Sequence, residues 1–263
     1  MDARRAAMLK EMGIAIWTER GAAMPEAEAS QAGPQAHAAP EPPPRRAAAM
    51  PAPAGSAEVH SPQGEREQGI AMMDWPALKA AVPACTACAL HASRTQTVFG
   101  VGDEQAEWLL VGEAPGGDED RLGEPFVGQA GKLLDQMLSA IELARGRNVY
   151  IANVLKCRPP GNRNPQPEEV ARCAPHLLRQ IDLIKPRLIL AMGRFAAQTL
   201  LATDASIASL RGKLHAYHGV PLIVTYHPAY LLRTPEDKAK SWQDLLFAVR
   251  TMQGLQSAAS APT

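Results

Sequence analysis

This chain of 263 residues has four cysteines, and their spacing is uneven. Cys85 and Cys88 flank two small residues, whereas Cys157 and Cys173 follow far downstream with fifteen residues between them. A pair at the first spacing can bite one metal centre, and four thiolates complete either a tetrahedral zinc site or an iron–sulfur cubane. Structural zinc often uses two close pairs. Only one exists here, and Pro159 and Pro160 follow Cys157 closely. The spread fits a cluster better than zinc, with unrelated thiols as the third alternative. A metal centre would tie the start of the domain to its middle and close long loops.

A second set of residues follows apolar runs. Glu113 comes after Glu107–Gly112 (EWLLVG), and Asn153 lies near the end of Val149–Leu155 (VYIANVL). Gly193 follows Arg187–Met192 (RLILAM), and His227 follows Pro221–Tyr226 (PLIVTY). The runs read as four strands. Between and after them, Ala130–Ala144, Pro167–Ile184, Arg194–Leu201 and Pro235–Met252 read as helices. Leu133, Leu134, Met137, Leu138 and Ile141 make a one-sided stripe, and Thr234 is a candidate cap for the last helix. Continuous apolar strands alternating with helices predict an α/β fold, a parallel sheet covered on both faces. Ligands of such sheets bind outside the carboxyl ends of the strands, where these four residues fall.

The stretches GEAPGGDEDRLGEPFVGQAGKLL (Gly112–Leu134), NVLKCRPPGNRNP (Asn153–Pro165) and HPAYLL (His227–Leu232) resemble the family 4 uracil-DNA glycosylases over about residues 74–250. The resemblance implies a three-layer α/β/α sandwich around a central four-stranded parallel sheet. It implies that Cys85, Cys88, Cys157 and Cys173 hold a structural [4Fe–4S] cluster. The implied activity is monofunctional: uracil is flipped out of DNA, its N-glycosidic bond is hydrolysed, and an abasic site remains. Phe126 matches the aromatic that stacks on uracil, Asn153 the amide that reads its edge, and His227 the motif histidine that contacts the base. Glu113, with the neighbouring Gly112 and Ala114, matches the motif beside the scissile bond. Better-known relatives carry Asp where this chain has Ala114, which leaves the water-activating group open between Glu113 and Glu119. Glu119 is alternatively a guard against the methyl group of thymine.

The chemistry asks for these residue types. A base inside a duplex must leave the stack, and an aromatic face replaces the lost stacking. Uracil offers an acceptor at O4 and a donor at N3, and one carboxamide satisfies both. Cytosine reverses both groups and would face two mismatches. A histidine can donate to the O2 on which negative charge develops, and a carboxylate can stabilise the cationic sugar and orient water. DNA contacts are expected from Leu231 or Leu232 as a wedge, from Arg233 and Arg158, and from Gly193 as a phosphate seat. Arg163, Arg194, Arg211 and Lys213 are further candidates.

Composition sets the boundaries. No Phe, Trp or Tyr occurs between Thr18 and Asp74, and nine of the 23 prolines fall between Pro25 and Pro62. The expected organisation is an amphipathic helix over 1–20 that suits a replication or repair partner, a disordered linker over 21–72, a catalytic domain over 73–253 and a disordered tail over 254–263. The net charge is zero, so no global field favours nucleic acid. No apolar run approaches a membrane span. A monomer in a bacterial-type cytoplasm, associated with the nucleoid, is expected. Two alternatives remain. Relatives that crosslink to the abasic product carry a basic, His-containing insertion after the first motif, and Asp120–Pro125 has no His. A non-catalytic iron–sulfur DNA-binding protein or electron carrier would not need Asn153 and His227 at one pocket.

Overall fold

The computed structural model describes residues 62–260. The expected helix over 1–20 and the expected linker as far as residue 61 lie outside the described residues. Two helices open the described chain, α1 (Pro62–Ala71) and α2 (Trp75–Ala81). The core is a six-stranded sheet in the order β1-β3-β2-β4-β6-β5. Four strands, β2 (Trp108–Gly112), β3 (Val149–Asn153), β4 (Leu188–Met192) and β6 (Val220–Thr225), are parallel, as the apolar runs predict. Two short antiparallel edges extend them: β1 (Val101–Gly102) beside β3, and β5 (His215–Tyr217) beside β6. The sheet is therefore larger than the expected four strands. The edges escaped prediction because two or three residues carry no readable period, and β5 is only partly buried.

Side-chain alternation splits the strands between two cores. Trp108 and Leu110 face one side with Leu134, Met137 and Leu138 of α4 (Gln129–Ala140) and Leu245 and Ala248 of α9 (Lys238–Ser260). Leu109 and Val111 face the other side with Leu177 and Ile181 of α5 (Pro167–Ile184) and Ala196 and Leu200 of α6 (Arg194–Leu201). The remaining helices are short: α3 (Gly117–Leu122), α7 (Ile207–Leu210) and α8 (Pro228–Arg233). Pro167 opens α5, and the Glu169 carboxylate accepts from the Gln166 N–H at 2.8 Å, closing the first turn.

Three boundaries differ from expectation. Residues 62–71, assigned to the linker, form α1. It packs on α5, buries Ile70 and directs Arg66 to His176 Nε2 at 3.1 Å. The tail expected to begin at 254 continues α9 to Ser260, where Gln256 donates to Glu107 at 2.9 Å. Thr234 makes no side-chain cap. Pro235–Asp237 forms a 3-10 turn, and the α-helix starts only at Lys238.

The chain runs from β2 to β3 on one side and then crosses to β4 on the other. This reversal opens a crevice at the carboxyl ends of β2 and β4.

Candidate active site

A cavity of about 720 Å³ occupies that crevice, with Glu113, Phe126, Asn153, Arg194 and His227 in its wall. Each comes from a different segment: the β2 end, the α3–α4 loop, the β3 end, the start of α6 and the start of α8. The sequence expectation that Asn153, Phe126 and His227 share one pocket holds geometrically. The Phe126 and His227 rings are stacked, with centroids 5.3 Å apart and planes 28° apart. Gly112 explains how Phe126 and Asn153 approach one another. A Cβ at 112 would overlap Asn153 Oδ1 and lie 2.8 Å from Phe126 Cζ. Asn153 Oδ1 is buried with no hydrogen-bond partner among the described residues. An orphaned buried acceptor costs about 1–3 kcal/mol, which a ligand N–H would relieve.

Phe126 has φ 56°, a left-handed conformation unusual for an aromatic residue. Its loop is held from both ends. Arg145, paired with Asp135 at 3.1 Å, donates to the carbonyls of Pro125 and Phe126 at 2.8 and 2.9 Å. Glu119 accepts from the N–H groups of Gly116 and Val127, both at 3.1 Å. Glu119 therefore reaches the cavity but spends both carboxylate oxygens on backbone. This is the geometry of a loop clamp.

Burial pushes the Glu113 carboxyl up to about 7, with Arg194 pulling it the other way. Burial, aided by Arg233, lowers His227 to about 4, so the ring is neutral at pH 7. His227 Nδ1 accepts from the Ala229 N–H at 3.1 Å as the cap of α8, which leaves the proton on Nε2. Gly193 (φ +91°) makes room for this ring, since a Cβ there would lie 2.9 Å from His227 Cβ. Its own N–H donates to the Thr225 carbonyl at 2.8 Å, so a phosphate seated at this helix start would meet the N–H groups that follow Gly193 instead.

The expected DNA contacts divide. Leu231 is fully buried in the core and cannot be a wedge, because the one-sided face of α8 turns it toward α4. Leu232 is 44 % exposed and keeps that possibility. Arg233 and Arg194 line the cavity. Arg158 donates to Asn162 Oδ1 at 2.7 Å. Arg163 lines the cavity but is engaged by both oxygens of Glu169. Arg211 is taken up by Asp244 at 2.6 Å and lies over the Tyr226 ring, a structural role. Lys213 is exposed.

The four cysteines line a second, smaller cavity, and none is disulfide-bonded. Three sulfurs already receive donors: Arg94 to Cys157 at 3.1 Å, the Lys156 N–H to Cys173 at 3.3 Å and Arg66 to Cys85 at 3.6 Å. Burial pushes the Cys173 thiol up to about 12 and raises Cys157 as well, with Lys156 and Arg94 respectively opposing. Buried sulfurs in this state ionise when a cationic metal core joins them. No three Cys, His, Asp or Glu side chains among the described residues are arranged to hold a single metal ion. What the structure does show is that all four sulfur-bearing residues line the same cavity, so a thiolate-bound centre would draw its donors from there. Ala114 packs against this cysteine patch as well as lining the larger cavity, so the two sites share a wall.

Sequence reasoning missed Arg66, Arg94, Arg145 and Lys156. Arginines at 66, 94 and 145 look like any surface cation, and only their partners reveal them. Lys156, buried beside Cys157, carries no pattern signal at all.

Comparison with known proteins places this geometry. The uracil DNA glycosylase superfamily matches residues 99–246. The type-4 uracil-DNA glycosylase of Archaeoglobus fulgidus is 48% identical over 163 residues, 59% of this chain and 81% of the relative. That of Pyrobaculum aerophilum is 42% identical over 181 residues, covering 66% and 92%. A type-5 uracil-DNA glycosylase of Thermus thermophilus is 34% identical over 149 residues, covering 49% and 68%. The matched region contains β2 through β6 and every wall of the larger cavity, and on this ground the chain belongs to the uracil-DNA glycosylase superfamily, in its type-4 family.

Proposed function

We propose that the cavity receives a uracil flipped out of DNA and that the chain hydrolyses its N-glycosidic bond, releasing the free base in DNA repair. The observation that carries this reading is the unsatisfied Asn153 Oδ1, buried beside the Phe126 ring and the neutral His227. Uracil N3–H donates to Oδ1, and the carboxamide nitrogen donates to O4. Cytosine presents an acceptor at N3 and a donor at N4, so both contacts turn repulsive. The Phe126 and His227 centroids are too close for a base between the rings. Uracil therefore stacks on Phe126 and meets His227 at its edge.

Bond breaking puts negative charge on uracil O2. His227 Nε2–H, held in place by the Nδ1 contact to Ala229, donates to that oxygen as charge grows. Because the ring is already neutral, no proton must first be lost. Glu113 stabilises the sugar cation and takes a proton from the attacking water, a task its raised pKa of about 7 suits. Glu119 holds the loop that carries Phe126. Arg194, Arg233 and Leu232 meet the DNA around the extruded nucleotide.

Cys85, Cys88, Cys157 and Cys173 would hold a [4Fe–4S] cluster. Its contribution is a crosslink between the start of the domain, the β3 loop and α5, since hydrolysis needs no electron. A replication or repair partner for residues 1–20 and a monomeric state complete the proposal.

The test is incubation with uracil-containing oligonucleotides, unpaired and opposite guanine or adenine, followed by alkali. Release of free uracil with breaks only at uracil supports the reading. A protein–DNA adduct that survives denaturation points to the crosslinking relatives, and binding without breaks to a non-catalytic module.

A further inference from the structure

Among the described residues, Lys156 is the bulkiest fully buried side chain, at 1% exposure. Its Nζ donates to the Asn153 carbonyl at 2.9 Å and to Gln180 Oε1 at 2.6 Å. Its backbone N–H donates to Cys173 Sγ at 3.3 Å, and its carbonyl accepts from the Val98 N–H at 2.8 Å. Gln180 is itself fully buried and fixed by donation to the Phe99 carbonyl at 2.9 Å. One residue thus touches both a sulfur of the cysteine cavity and the peptide of the residue facing the larger cavity.

Packing alone does not call for an amine here. A methionine of similar length would fill the space without the cost of desolvating nitrogen. The amine must therefore be judged by what it holds. Asn153 is the last residue of β3, and Oδ1 has no partner among the described residues that would aim the carboxamide. Its aim then depends on its backbone and on packing against Phe126. The segment beyond it is stitched to the β2 end by Val154 N–H to the Gly112 carbonyl at 3.0 Å and Leu155 N–H to the Glu113 carbonyl at 3.1 Å. The Lys156 side chain closes this short turn back onto the Asn153 carbonyl.

We infer that Lys156 is a positioning residue for base discrimination: its amine fixes the Asn153 peptide, and its backbone ties that peptide to the cysteine cavity. The inference rests on the reading of Asn153 as the residue that distinguishes uracil from cytosine. It also gives the cysteine centre a route to specificity through mechanical linkage.

The test compares full-length wild type, Lys156→Met, Gln180→Met and Asn153→Asp, each purified with its cluster. Cluster content is read from visible absorbance and iron analysis. Excision rates per mole of cluster are measured on oligonucleotides carrying uracil or cytosine. Lys156→Met should retain its cluster, lose about tenfold in kcat/KM for uracil and narrow the uracil-to-cytosine ratio by a similar factor. An unchanged ratio at normal cluster content overturns the inference, as does a rate loss that vanishes on normalisation to cluster. If Lys156→Met does not fold, Gln180→Met decides: a narrowed ratio supports the inference and an unchanged one overturns it. Asn153→Asp separates the two levels. If it discriminates normally, the reading of Asn153 fails; if it loses discrimination while Lys156→Met keeps it, only the role of Lys156 fails.

Discussion

Gly112→Ala tests the geometry of the base pocket with one methyl group. The new Cβ would sit 2.8 and 2.9 Å from Phe126 Cζ and Cε2, where ordinary contact begins near 3.4 Å, and would overlap Asn153 Oδ1. The ring must retreat by about half an ångström and the carboxamide must turn aside. Both are nearly buried, Phe126 at 6 % and Asn153 at 3 % exposure, so their retreat takes up room in the cavity that the base would occupy. Overpacking of this kind costs about 1–3 kcal/mol. A domain of this size loses about 2–4 °C in Tm per kcal/mol. The effect on chemistry is larger, because displacing the base-reading groups by up to an ångström costs about a hundredfold in rate. Thermal unfolding and single-turnover uracil release, measured on the same preparation, read the two effects separately. The expected variant is folded, a few degrees less stable and about a hundredfold slower. Excision at the wild-type rate would refute the packing of Gly112, Asn153 and Phe126 as the determinant of the pocket.

Other perturbations address separate parts of the site. Glu113 ionises near 7, so if its carboxylate is the working form, kcat/KM rises as pH passes through about 7 and levels above it. His227 titrates near 4 and adds no limb between pH 5 and 8. In Glu113→Gln the acidic limb should disappear and the rate fall about 10²–10⁴-fold, and persistence of the limb in a pH profile would remove Glu113 from the role. Leu231→Ala should destabilise the fold by about 2–5 kcal/mol in denaturant titrations. Leu232→Ala should leave stability intact and slow excision from duplex more than from single strands; the opposite pattern would restore Leu231 as the wedge. Deleting residues 1–60 should preserve the cluster absorbance in air. Deleting 1–72 removes α1 and the Arg66 contact to Cys85 and should speed bleaching, so equal bleaching rates would show that α1 gives no cover.

The fold was legible where burial is continuous. Strands covered on both faces leave unbroken apolar runs, so β2, β3, β4 and β6 announced themselves, and α5 and α6 matched to the residue. The edge strands and α1 were not legible, because a two-residue strand has no period and α1 is mostly polar with one deeply buried residue, Ile70. The site was legible as a set of residue types after strands, and motif resemblance supplied their roles. What the sequence could not supply was each side chain's partners. Glu119 and Glu113 look equivalent in GEAPGGDED until one is seen clamping backbone. Leu231 and Leu232 look equivalent until the helix face that α8 buries is known. Arg211 looks like a phosphate ligand until Asp244 takes it.

Partner geometry also bears on how Ala114 fits the proposed chemistry. Ala114 packs against the buried cluster of Leu90, Leu155, Cys157 and Cys173 and also lines the larger cavity. An ionised carboxylate there would border this apolar cluster, where burial disfavours charge. Alanine avoids that conflict but leaves the cavity one carboxylate short. Glu119 does not make up the difference, because its oxygens hold Gly116 and Val127 in place. Glu113 remains, with burial raising it to about 7 and with Arg194 nearby to favour its charged form. A carboxylate with these properties is a better proton acceptor than an exposed one and is still substantially ionised at neutral pH. On the proposed reading, water activation falls to Glu113, one position before Ala114 in the motif. Glu113→Gln should accordingly be more damaging than Glu119→Gln, whose loss should appear in Tm and in the order of the Phe126 loop before it appears in the pH profile.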